Sequence, residues 1–244
     1  MAVDIGRLKE YLGFHCDIKY FEIVDSTNNA AKADEKQQEF SLFLAREQTK
    51  GRGRIDKHWI SVKDKGLYFS IILKPRMDKV QGITVLMALA VYRALRAIDL
   101  EADIKWPNDI LVKGKKICGI LTQMNGDTII CGTGINVSHG EEDFSKLKNT
   151  ATSLKLEKSP IDMTTLLADI LNRFYTLYAE FLHNGLKNLI NEYSDALIHN
   201  NCEVKLKMSN EDICGQFLGV DEDGGIILDV SGNVRTFICG EAGD

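Results

Sequence analysis

Three short stretches of the chain contain the residues with the clearest potential for chemistry. They are Lys50-Gly51-Arg52-Gly53-Arg54 with Trp59 shortly after, then Lys105-Trp106-Pro107-Asn108-Asp109, then Lys116-Ile117-Cys118-Gly119-Ile120-Leu121. Arginine side chains donate bidentate hydrogen bonds to phosphate or carboxylate groups, and glycines let a ligand approach the backbone. A fixed lysine stabilises the negative charge that develops at a reacting phosphate. Together the three stretches predict an anion-binding enzyme that uses ATP.

Each stretch also has a plainer explanation. The glycine-arginine loop could be a flexible basic turn or an RNA contact, and it matches neither a P-loop nor a dinucleotide fingerprint. Asn108 and Asp109 could cap their own backbone beside the bend that Pro107 imposes. A functional Asp109 could approach Mg²⁺, a nucleotide or an incoming amine. Lys116 could be a solvated turn lysine, so the order and combination of the motifs carry the functional interpretation.

Composition and charge exclude several classes of protein. The 244 residues can bury a full core, and the net charge of -5 argues against a dedicated nucleic-acid binder. The first residues lack the basic stretch and apolar core of a secretory signal. The apolar segment 83–100 contains Arg93, Arg96 and Asp99, which excludes a membrane span. We therefore expect a cytoplasmic protein.

The six cysteines follow no metal-ligand spacing, and no Cys-x-x-Cys pair occurs. Cys202, Cys214 and Cys239 share the C-terminal segment, so a zinc site is one alternative. Their spacing favours small buried thiols in a reduced protein.

Apolar periodicity and capping residues predict four helices. Ser26 or Thr27 should cap a helix over residues 29–36, and a wide apolar face predicts another over 83–97. Ser159-Pro160-Ile161-Asp162 should begin a long helix, because it combines a hydroxyl cap, an early proline and a carboxylate. The residues of its buried stripe are Leu166, Leu167, Ile170, Phe174, Leu177, Tyr178 and Phe181. A further helix should cover residues 186–198.

Runs of β-forming residues predict strands over 41–45, 67–73, 104–106, 110–112, 119–124 and 128–131. Gly132-Thr133-Gly134-Ile135-Asn136 resembles a glycine turn at the end of a strand, where a ligand could approach the backbone.

The pattern changes near Asn200. Residues 202–208 alternate between apolar and charged side chains, as in a half-buried strand. Asp223-Gly224-Gly225 and Ser231-Gly232-Asn233 predict hairpin turns. We therefore expect a catalytic domain over residues 1–199 and a small β domain over 200–244 that packs on it.

Five groups of residues, in order, resemble the motifs of biotin protein ligases. They are Asp25-Ser26-Thr27-Asn28; Gln48 with Gly51-Arg52-Gly53-Arg54 and Trp59; Lys105 to Asp109; Lys116 with Gly119-Ile120-Leu121; and Gly132 with Gly134-Ile135-Asn136. The resemblance spans about residues 20 to 137. It implies an α+β fold with a mixed sheet and flanking helices, related to the core of class II aminoacyl-tRNA synthetases, followed by a small SH3-like β-barrel.

The resemblance also implies a two-step reaction in which ATP and biotin are substrates and Mg²⁺ accompanies the nucleotide. The biotin carboxylate attacks the α-phosphate to give biotinyl-5′-AMP and diphosphate. A lysine of a biotin carboxyl carrier domain then displaces AMP. The expected partner is that carrier domain of a carboxylase, without DNA or membrane, and a homodimer is an option because relatives often pair through the catalytic sheet.

The resemblance assigns a role to each matching residue. Lys116, Arg52 and Asp109 would be catalytic. Biotin would be bound by Ser26, Thr27, Asn28, Gln48, Gly51, Arg52, Lys116, Gly119 and Gly134. ATP would be bound by Arg52, Arg54, Trp59, Asn108, Asp109, Lys116 and Asn136. Trp59, as an exposed indole beside the loop, should pack on the adenine. No residue is firmly assigned to a metal, although Asp109 is one candidate.

Two features depart from the family pattern. Many bacterial members continue the loop with Arg-Gly-Arg, where this chain has Ile55-Asp56-Lys57. We expect loop ordering and retention of the adenylate to differ. The sequence ends at Gly240-Glu241-Ala242-Gly243-Asp244, where relatives usually add an apolar strand, so closure of the small barrel is an open question.

Three other functions compete with biotin ligation. Lipoate ligation uses the same chemistry, but the loop and the Trp-Pro-Asn-Asp motif resemble the biotin branch. A biotin-responsive repressor would need a helix-turn-helix module, and only 24 residues precede Asp25. A non-catalytic binder would not need Lys116, Arg52 and Asp109. We therefore predict a monofunctional ligase.

Overall fold

A computed structural model describes residues 2–54, 57–75, 80–145, 147, 150–208 and 211–243. Its centre is a seven-stranded sheet. The strands are β1 (Ile18–Phe21), β2 (Leu42–Ala45), β3 (Gly66–Leu73), β4 (Asp103–Lys105), β5 (Asp109–Val112), β6 (Lys115–Asn125) and β7 (Thr128–Asn136). Their order is β1-β2-β3-β7-β6-β5-β4. Only β1 and β2 run parallel to each other, and the other neighbours are antiparallel, so the sheet is mixed.

Five α-helices accompany this sheet in the described part of the chain. They are α1 (Ile5–Tyr11), α2 (Thr27–Lys32), α3 (Val80–Arg96), α4 (Met163–Asn184) and α5 (Ile190–Asp195). The apolar sides of α3 and α4 join the large core on one face of the sheet. The short helix α2 packs on the opposite face, where Ala31 contacts a small cluster of Phe43, Ile72 and Ile130. No helix in the described ranges is long and apolar enough to cross a membrane.

The alternation of side chains along β3 connects the two faces. Leu67, Phe69 and Ile71 belong to the large core, whereas Ile72 belongs to the cluster under α2. Successive residues of a strand point to opposite faces, so one strand supports both. The predicted strand over 67–73 and the predicted buried stripe of the long helix are confirmed.

A second sheet forms in the C-terminal segment. Its strands are β8 (Glu203–Lys207), β9 (Asp212–Val220), β10 (Ile226–Val230), β11 (Asn233–Phe237) and β12 (Glu241–Gly243), in the order β11-β10-β9-β8-β12. Positive φ angles at Gly224, Ser231 and Gly232 confirm both predicted hairpin turns. The inner side chains of this sheet continue the large core. In addition, Trp106 Nε1 donates a hydrogen bond to the Gly224 carbonyl at 2.9 Å.

Three predicted helix boundaries were wrong. The long helix begins at Met163, because Asp162 and not Ser159 accepts a hydrogen bond from the Thr165 N–H. The helix predicted over 186–198 is helical only over α5. Helix α2 ends at Lys32 instead of residue 36. The Gln37 side chain ends the helix by donating hydrogen bonds to the carbonyls of Ala31 and Lys32. Ser26 occupies its N-cap without a side-chain hydrogen bond.

Two further expectations differ from the structure. Gly132-Thr133-Gly134-Ile135-Asn136 is the C-terminal half of β7 and not a turn, because β3 and β6 pair with it on both sides. Cys118 and Cys131 are buried, and burial raises the pKa of the Cys131 thiol to about 12. The three C-terminal cysteines are exposed, so the expectation of buried thiols was wrong for them. Cys214 lies on the exposed face of β9, and Cys202 and Cys239 lie in the bends just before β8 and β12.

Candidate active site

A cavity of about 430 Å³ opens on the α2 face of the central sheet. Residues 52–54 and 57–60 line one side of the cavity, and Glu241 and Ala242 of β12 contribute to its wall. Of the candidate residues, those that line it are Ser26, Thr27, Asn28, Gln48, Arg52, Arg54, Trp59, Asn108, Asp109, Lys116, Gly119, Gly134 and Asn136. Residues from distant parts of the sequence therefore meet in one space.

Two glycines and an indole form the floor of this cavity. Gly119 and Gly134 lie opposite each other on β6 and β7, and the Trp59 ring rests on both. A Cβ atom on Gly134 would lie 2.3 Å from Trp59 Nε1, and one on Gly119 would lie 2.9 Å from the same ring. Trp59 is therefore half-buried, contrary to the expectation of an exposed indole, and its buried Nε1 has no hydrogen-bond partner among the described residues.

Gly51 acts on the loop and does not line the cavity. The Trp59 N–H donates to the Gly51 carbonyl at 3.0 Å, which brings the two ends of the loop together. A Cβ atom on Gly51 would lie 2.5 Å from the Trp59 carbonyl oxygen. Only glycine permits this approach, so Gly51 determines where Trp59 lies.

Lys116 and Asp109 form an ion pair at the cavity wall, with 2.7 Å between Nζ and Oδ1. An irregularity between β5 and β6 places Lys116 opposite Leu111 and Asp109 opposite Gly119. Both side chains consequently point to the cavity face. Lys116 Nζ also lies 5.4 Å from the centre of the Trp59 ring. Asp109 thus holds the lysine at the floor of the site.

The two arginines of the loop reach different parts of the cavity. Arg54 Nη1 donates to Asn108 Oδ1 at 3.2 Å, and Arg52 Nη1 lies 3.4 Å from Asn29 Oδ1. Asn108 is itself fixed, since its Nδ2 donates to the Ile120 carbonyl at 2.8 Å. Among the described residues, these single, long contacts leave most guanidinium donors available to an anionic ligand.

A polar network begins at the N-terminus of α2. Gln48 Oε1 accepts a hydrogen bond from the Thr27 N–H at 2.8 Å, and Gln48 Nε2 donates to Ser61 Oγ at 2.8 Å. Ser70 Oγ lies within hydrogen-bonding distance of both the Thr27 hydroxyl and the Asn28 carboxamide. The network fixes the polar end of the cavity.

The second sheet adds a charge to the cavity. Lys57 Nζ lies 2.6 Å from Glu241 Oε2 of β12. Burial raises the pKa of Glu241, but the hydrogen bond from Lys57 and the charges of Arg54 and Lys116 outweigh it, so the pKa is lowered. Glu241 is therefore an ionised group facing the basic loop.

Comparisons with known proteins agree with the motifs. Residues 20–137 match the model of the biotin/lipoate A/B protein ligase family. The bifunctional ligase/repressor BirA of Bacillus spizizenii is 31% identical over 245 residues, which cover 96% of this chain and 75% of that protein. The chain belongs to the biotin/lipoate A/B protein ligase family.

Within this family the chain groups with the biotin protein ligases. The biotin–[acetyl-CoA-carboxylase] ligase of Mycobacterium tuberculosis is 25% identical over 211 residues, covering 83% of this chain and 77% of that one. A biotin protein ligase from Aquifex aeolicus, solved in complex with biotin and ATP, superimposes with a TM-score of 0.83 at 27% identity. The match covers 93% of this chain and 97% of that chain.

Three residues in or next to this cavity were not predicted from the sequence: Glu241 lines it, and Ser61 and Ser70 hydrogen-bond to residues that line it. Ser61 and Ser70 lie in ordinary β-rich runs, and Glu241 lies in the tail far from the motifs. Only the polar character of Ser70 inside the apolar strand Gly66–Leu73 could have drawn attention to it.

Asn136, a predicted nucleotide contact, is buried, and its side-chain amide donates a hydrogen bond to the Thr152 carbonyl at 3.0 Å.

The described part of the chain offers no preformed cage for a metal ion. Over the described residues, no group of three or more histidine, cysteine or acidic side chains could hold one. Asp109 is paired with Lys116, so this carboxylate is neutralised by a protein cation. Ile55 and Asp56, on which the expected difference in adenylate retention depends, lie outside the described residues.

Proposed function

We propose that this protein is an ATP-dependent ligase that converts biotin to biotinyl-5′-AMP and transfers the biotinyl group to a specific lysine of a biotin carboxyl carrier protein. The observation that carries the proposal is the single cavity in which the cationic residues Arg52, Arg54 and Lys116 meet the polar N-terminus of α2. An enzyme that joins a carboxylic acid to ATP needs a polar site for the acid beside a cationic site for the phosphates. The relatives are named as ligases for biotin, which points to the same acid.

In the first step a carboxylate oxygen of biotin attacks the α-phosphorus of ATP, and the bond to diphosphate breaks. A carboxylate alone does not acylate an amine, because its oxygen is a poor leaving group. Lys116 would neutralise the charge that accumulates on both reactants, and fixed cations of this kind supply much of the catalysis of phosphoryl transfer. Arg52 would order the loop over biotin and the adenylate, and Arg54 would help to retain the intermediate.

In the second step the ε-amine of the acceptor lysine attacks the acyl carbonyl of the adenylate. The carbon–oxygen bond to AMP breaks, the amide forms and the amine loses a proton. Asp109 is the nearest carboxylate to Lys116 and lies at the cavity wall. In this proposal Asp109 first holds Lys116 by the ion pair. When Lys116 instead contacts a ligand anion, Asp109 orients the incoming amine.

At the polar end of the cavity, Ser26, Thr27, Asn28 and Gln48 would bind the ureido ring of biotin. Gly119 and Gly134 leave a smooth floor on which the indole of Trp59 lies beside the ligand, and the adenine would pack against that indole. Asn108 and Asn136 would complete the nucleotide side. Holding both substrates in one cavity supplies the orientation that the reaction needs.

Mg²⁺ would reach this site bound to the phosphates of ATP, since the ion prefers phosphate oxygens and water to all-protein cages. Asp109, which lines the cavity, would be the carboxylate available to hold such an ion. The ion would supply additional positive charge at the phosphates.

The architecture completes the proposal. We propose that residues 1–199 form the catalytic domain, related to class II aminoacyl-tRNA synthetases, and that residues 200–244 form a small SH3-like barrel. The contribution of Glu241 to the cavity supports a role for this small domain in the reaction. A cytoplasmic location, with its reducing conditions, suits the exposed free thiols of the small domain. A homodimer is also part of the proposal.

The test is biotin-dependent exchange of labelled diphosphate into ATP in the presence of Mg²⁺, with lipoate in a parallel reaction. Exchange with biotin alone, followed by transfer to a purified carrier domain, is the expected result. Exchange with lipoate alone would assign the chain to lipoate ligation. A failure with both acids would contradict the adenylation step.

A further inference from the structure

Ser70 is a buried hydroxyl at the polar end of the cavity, outside all of the sequence motifs. It lies at the centre of β3, on the cavity face, and its side chain is fully buried. Its register partner on β7 is Gly132. A buried hydroxyl in an otherwise apolar strand requires hydrogen-bond partners, because an unpaired one is costly.

The partners of Ser70 are two residues assigned above to biotin binding. Ser70 Oγ lies 2.7 Å from Thr27 Oγ1 and 2.6 Å from Asn28 Oδ1. Gly132 provides the room for this arrangement, since a Cβ atom there would lie 1.9 Å from Asn28 Oδ1. Ser70 therefore supports both side chains from beneath, on a strand that is paired on both sides.

The hydrogen-bond directions follow from the number of available protons. Asn28 Nδ2 donates to Gln123 Oε1 at 2.9 Å and to the Leu121 carbonyl at 3.3 Å, so Asn28 Oδ1 must be an acceptor. The Ser70 hydroxyl therefore donates its single proton to Asn28 Oδ1 in a hydrogen bond. Ser70 Oγ in turn accepts from the Thr27 hydroxyl.

Thr27 has a second acceptor within reach, which is more distant and already occupied. Gln48 Oε1 lies 3.1 Å from Thr27 Oγ1, and it accepts the Thr27 N–H at 2.8 Å. The shorter contact to Ser70 consequently takes the hydroxyl proton. The Thr27 oxygen is left with acceptor lone pairs for a ligand in the cavity.

We propose that Ser70 is a positioning residue that fixes the polarity of the Thr27–Asn28 pair, so that Thr27 accepts a hydrogen bond from an N–H group of a cyclic urea. The inference rests on the proposed function, because biotin carries this urea. It also gives a physical basis for rejecting lipoate, whose dithiolane ring has no N–H donor. Without Ser70 the Thr27 hydroxyl can rotate, and the buried Asn28 oxygen loses its only donor among the described residues.

The test compares Ser70→Ala with a matched substitution, Ser41→Ala. Ser41 is also fully buried, but its Oγ has no hydrogen-bond partner in the described structure and it does not line the cavity. Ser70→Cys is the second variant, because a thiol is similar in size but a weaker donor. The measurements are the KM values for biotin and ATP and kcat in diphosphate exchange, with the melting temperature of each protein.

We expect Ser70→Ala to raise the KM for biotin about tenfold, because it removes a buried hydroxyl that hydrogen-bonds to Thr27 and Asn28. The KM for ATP should stay within about twofold of the wild-type value. The KM of Ser70→Cys for biotin should lie between those of the wild type and Ser70→Ala. If Ser70→Ala does not fold, the KM of Ser70→Cys tests the inference. Ser41→Ala should leave all three constants unchanged.

A KM for biotin that matches that of Ser41→Ala, in a folded Ser70 variant, would overturn the inference while the proposed function stands. Equal increases in both KM values would also overturn it, because they would indicate general distortion of the cavity. If the wild type shows no biotin-dependent exchange, the proposed function fails, and the inference fails with it.

Discussion

The two faces of the central sheet are built from the same strands but differ in what they contact. On the face of α3 and α4, β3 presents Leu67, Phe69 and Ile71 to a continuous apolar core. On the cavity face, the same strand presents Tyr68 and Ser70, which hydrogen-bond to other side chains. The neighbouring strand β7 has glycines on the cavity face, where a side chain would collide with Asn28 or Trp59.

The difference shows how one sheet separates stability from chemistry. Apolar contacts on the core face hold the strands in place, and the alternation of the strand then aims polar groups and empty space at the other face. Substitutions on the cavity face should therefore affect activity more than folding, and substitutions on the core face should do the reverse.

The largest expected effect is on the cavity face. Lys116→Ala should reduce biotin-dependent diphosphate exchange by about 10³-fold, because it removes the fixed positive charge beside the reacting phosphate. Its melting temperature should stay close to that of the wild type. Lys115→Ala, an exposed neighbour on the same strand, is the control and should retain activity. Near-normal exchange by Lys116→Ala would remove this lysine from the mechanism.

The opposite result is expected on the core face. Phe69→Ala should lower the free energy of unfolding by about 3–5 kcal/mol, because Phe69 is fully buried and truncation leaves a cavity. Urea denaturation would measure the loss. The protein that remains folded should keep its KM for biotin, and a large rise in that constant would mean that the two faces are not separable.

His139 tests whether the buried polar groups of the cavity side also affect stability. Burial lowers the pKa of His139 to about 4, and its ring stacks on Phe144, which lines the cavity. The unfolded chain binds this proton near pH 6.5, so stability is full above pH 6.5 and decreases as the pH falls towards 4. The expected loss is roughly 3 kcal/mol.

Replacing the histidine isolates this contribution. His139→Gln has no titrating ring, so its unfolding free energy should depend less on pH between 6.5 and 4 than that of the wild type. Denaturation at several pH values measures the difference. The nearby charges of Asp143 and Lys65 are the same in both proteins. Parallel pH profiles would show that His139 is not the group responsible.

Gly134→Ala tests the fit between the floor and the indole. The added methyl would lie 2.3 Å from Trp59 Nε1 and must displace the ring, so kcat/KM should fall by about 10²-fold. The fluorescence emission of Trp59 should shift. The emission of Trp106, which is buried and hydrogen-bonded to the Gly224 carbonyl, serves as an internal reference. An unshifted spectrum would mean that the ring does not rest on this glycine in solution.

The smallest expected effect concerns the link between the loop and the second sheet. Glu241→Gln removes the charge that pairs with Lys57 but keeps the side-chain shape. Because Lys57 is largely exposed, we expect less than about 1 kcal/mol in stability. The KM for ATP should change by only a fewfold. A double-substitution cycle with Lys57→Gln would measure the coupling, and additive effects would show that the pair contributes nothing.

The sequence predicted the parts of this molecule that local patterns determine. The apolar run of β3, the stripe of α4 and the turns at Gly224 and Gly232 follow from periodicity and from backbone conformation. The motif residues lie around one cavity, although their individual roles stay predictions. Ordered motifs identify a family because each is needed for one reaction.

What the sequence did not predict depends on tertiary contacts. Glycine normally favours turns, but Gly132 and Gly134 lie within a central strand because Asn28 and Trp59 fill the space of their missing side chains. Ser70 matters only through Thr27 and Asn28, which are more than 40 residues away in sequence. Glu241 reaches the cavity only because β12 pairs with β8.

The participation of β12 in the cavity has a consequence for synthesis of the protein. The wall contains Ser26 near one end of the sequence and Glu241 near the other. At typical translation rates, about 10 to 40 s separate the emergence of these two residues from the ribosome. After Asn136 has emerged, the nascent chain has all of the motifs but still lacks the wall that β12 contributes. The polypeptide should therefore become a working ligase only after β12 has left the ribosome.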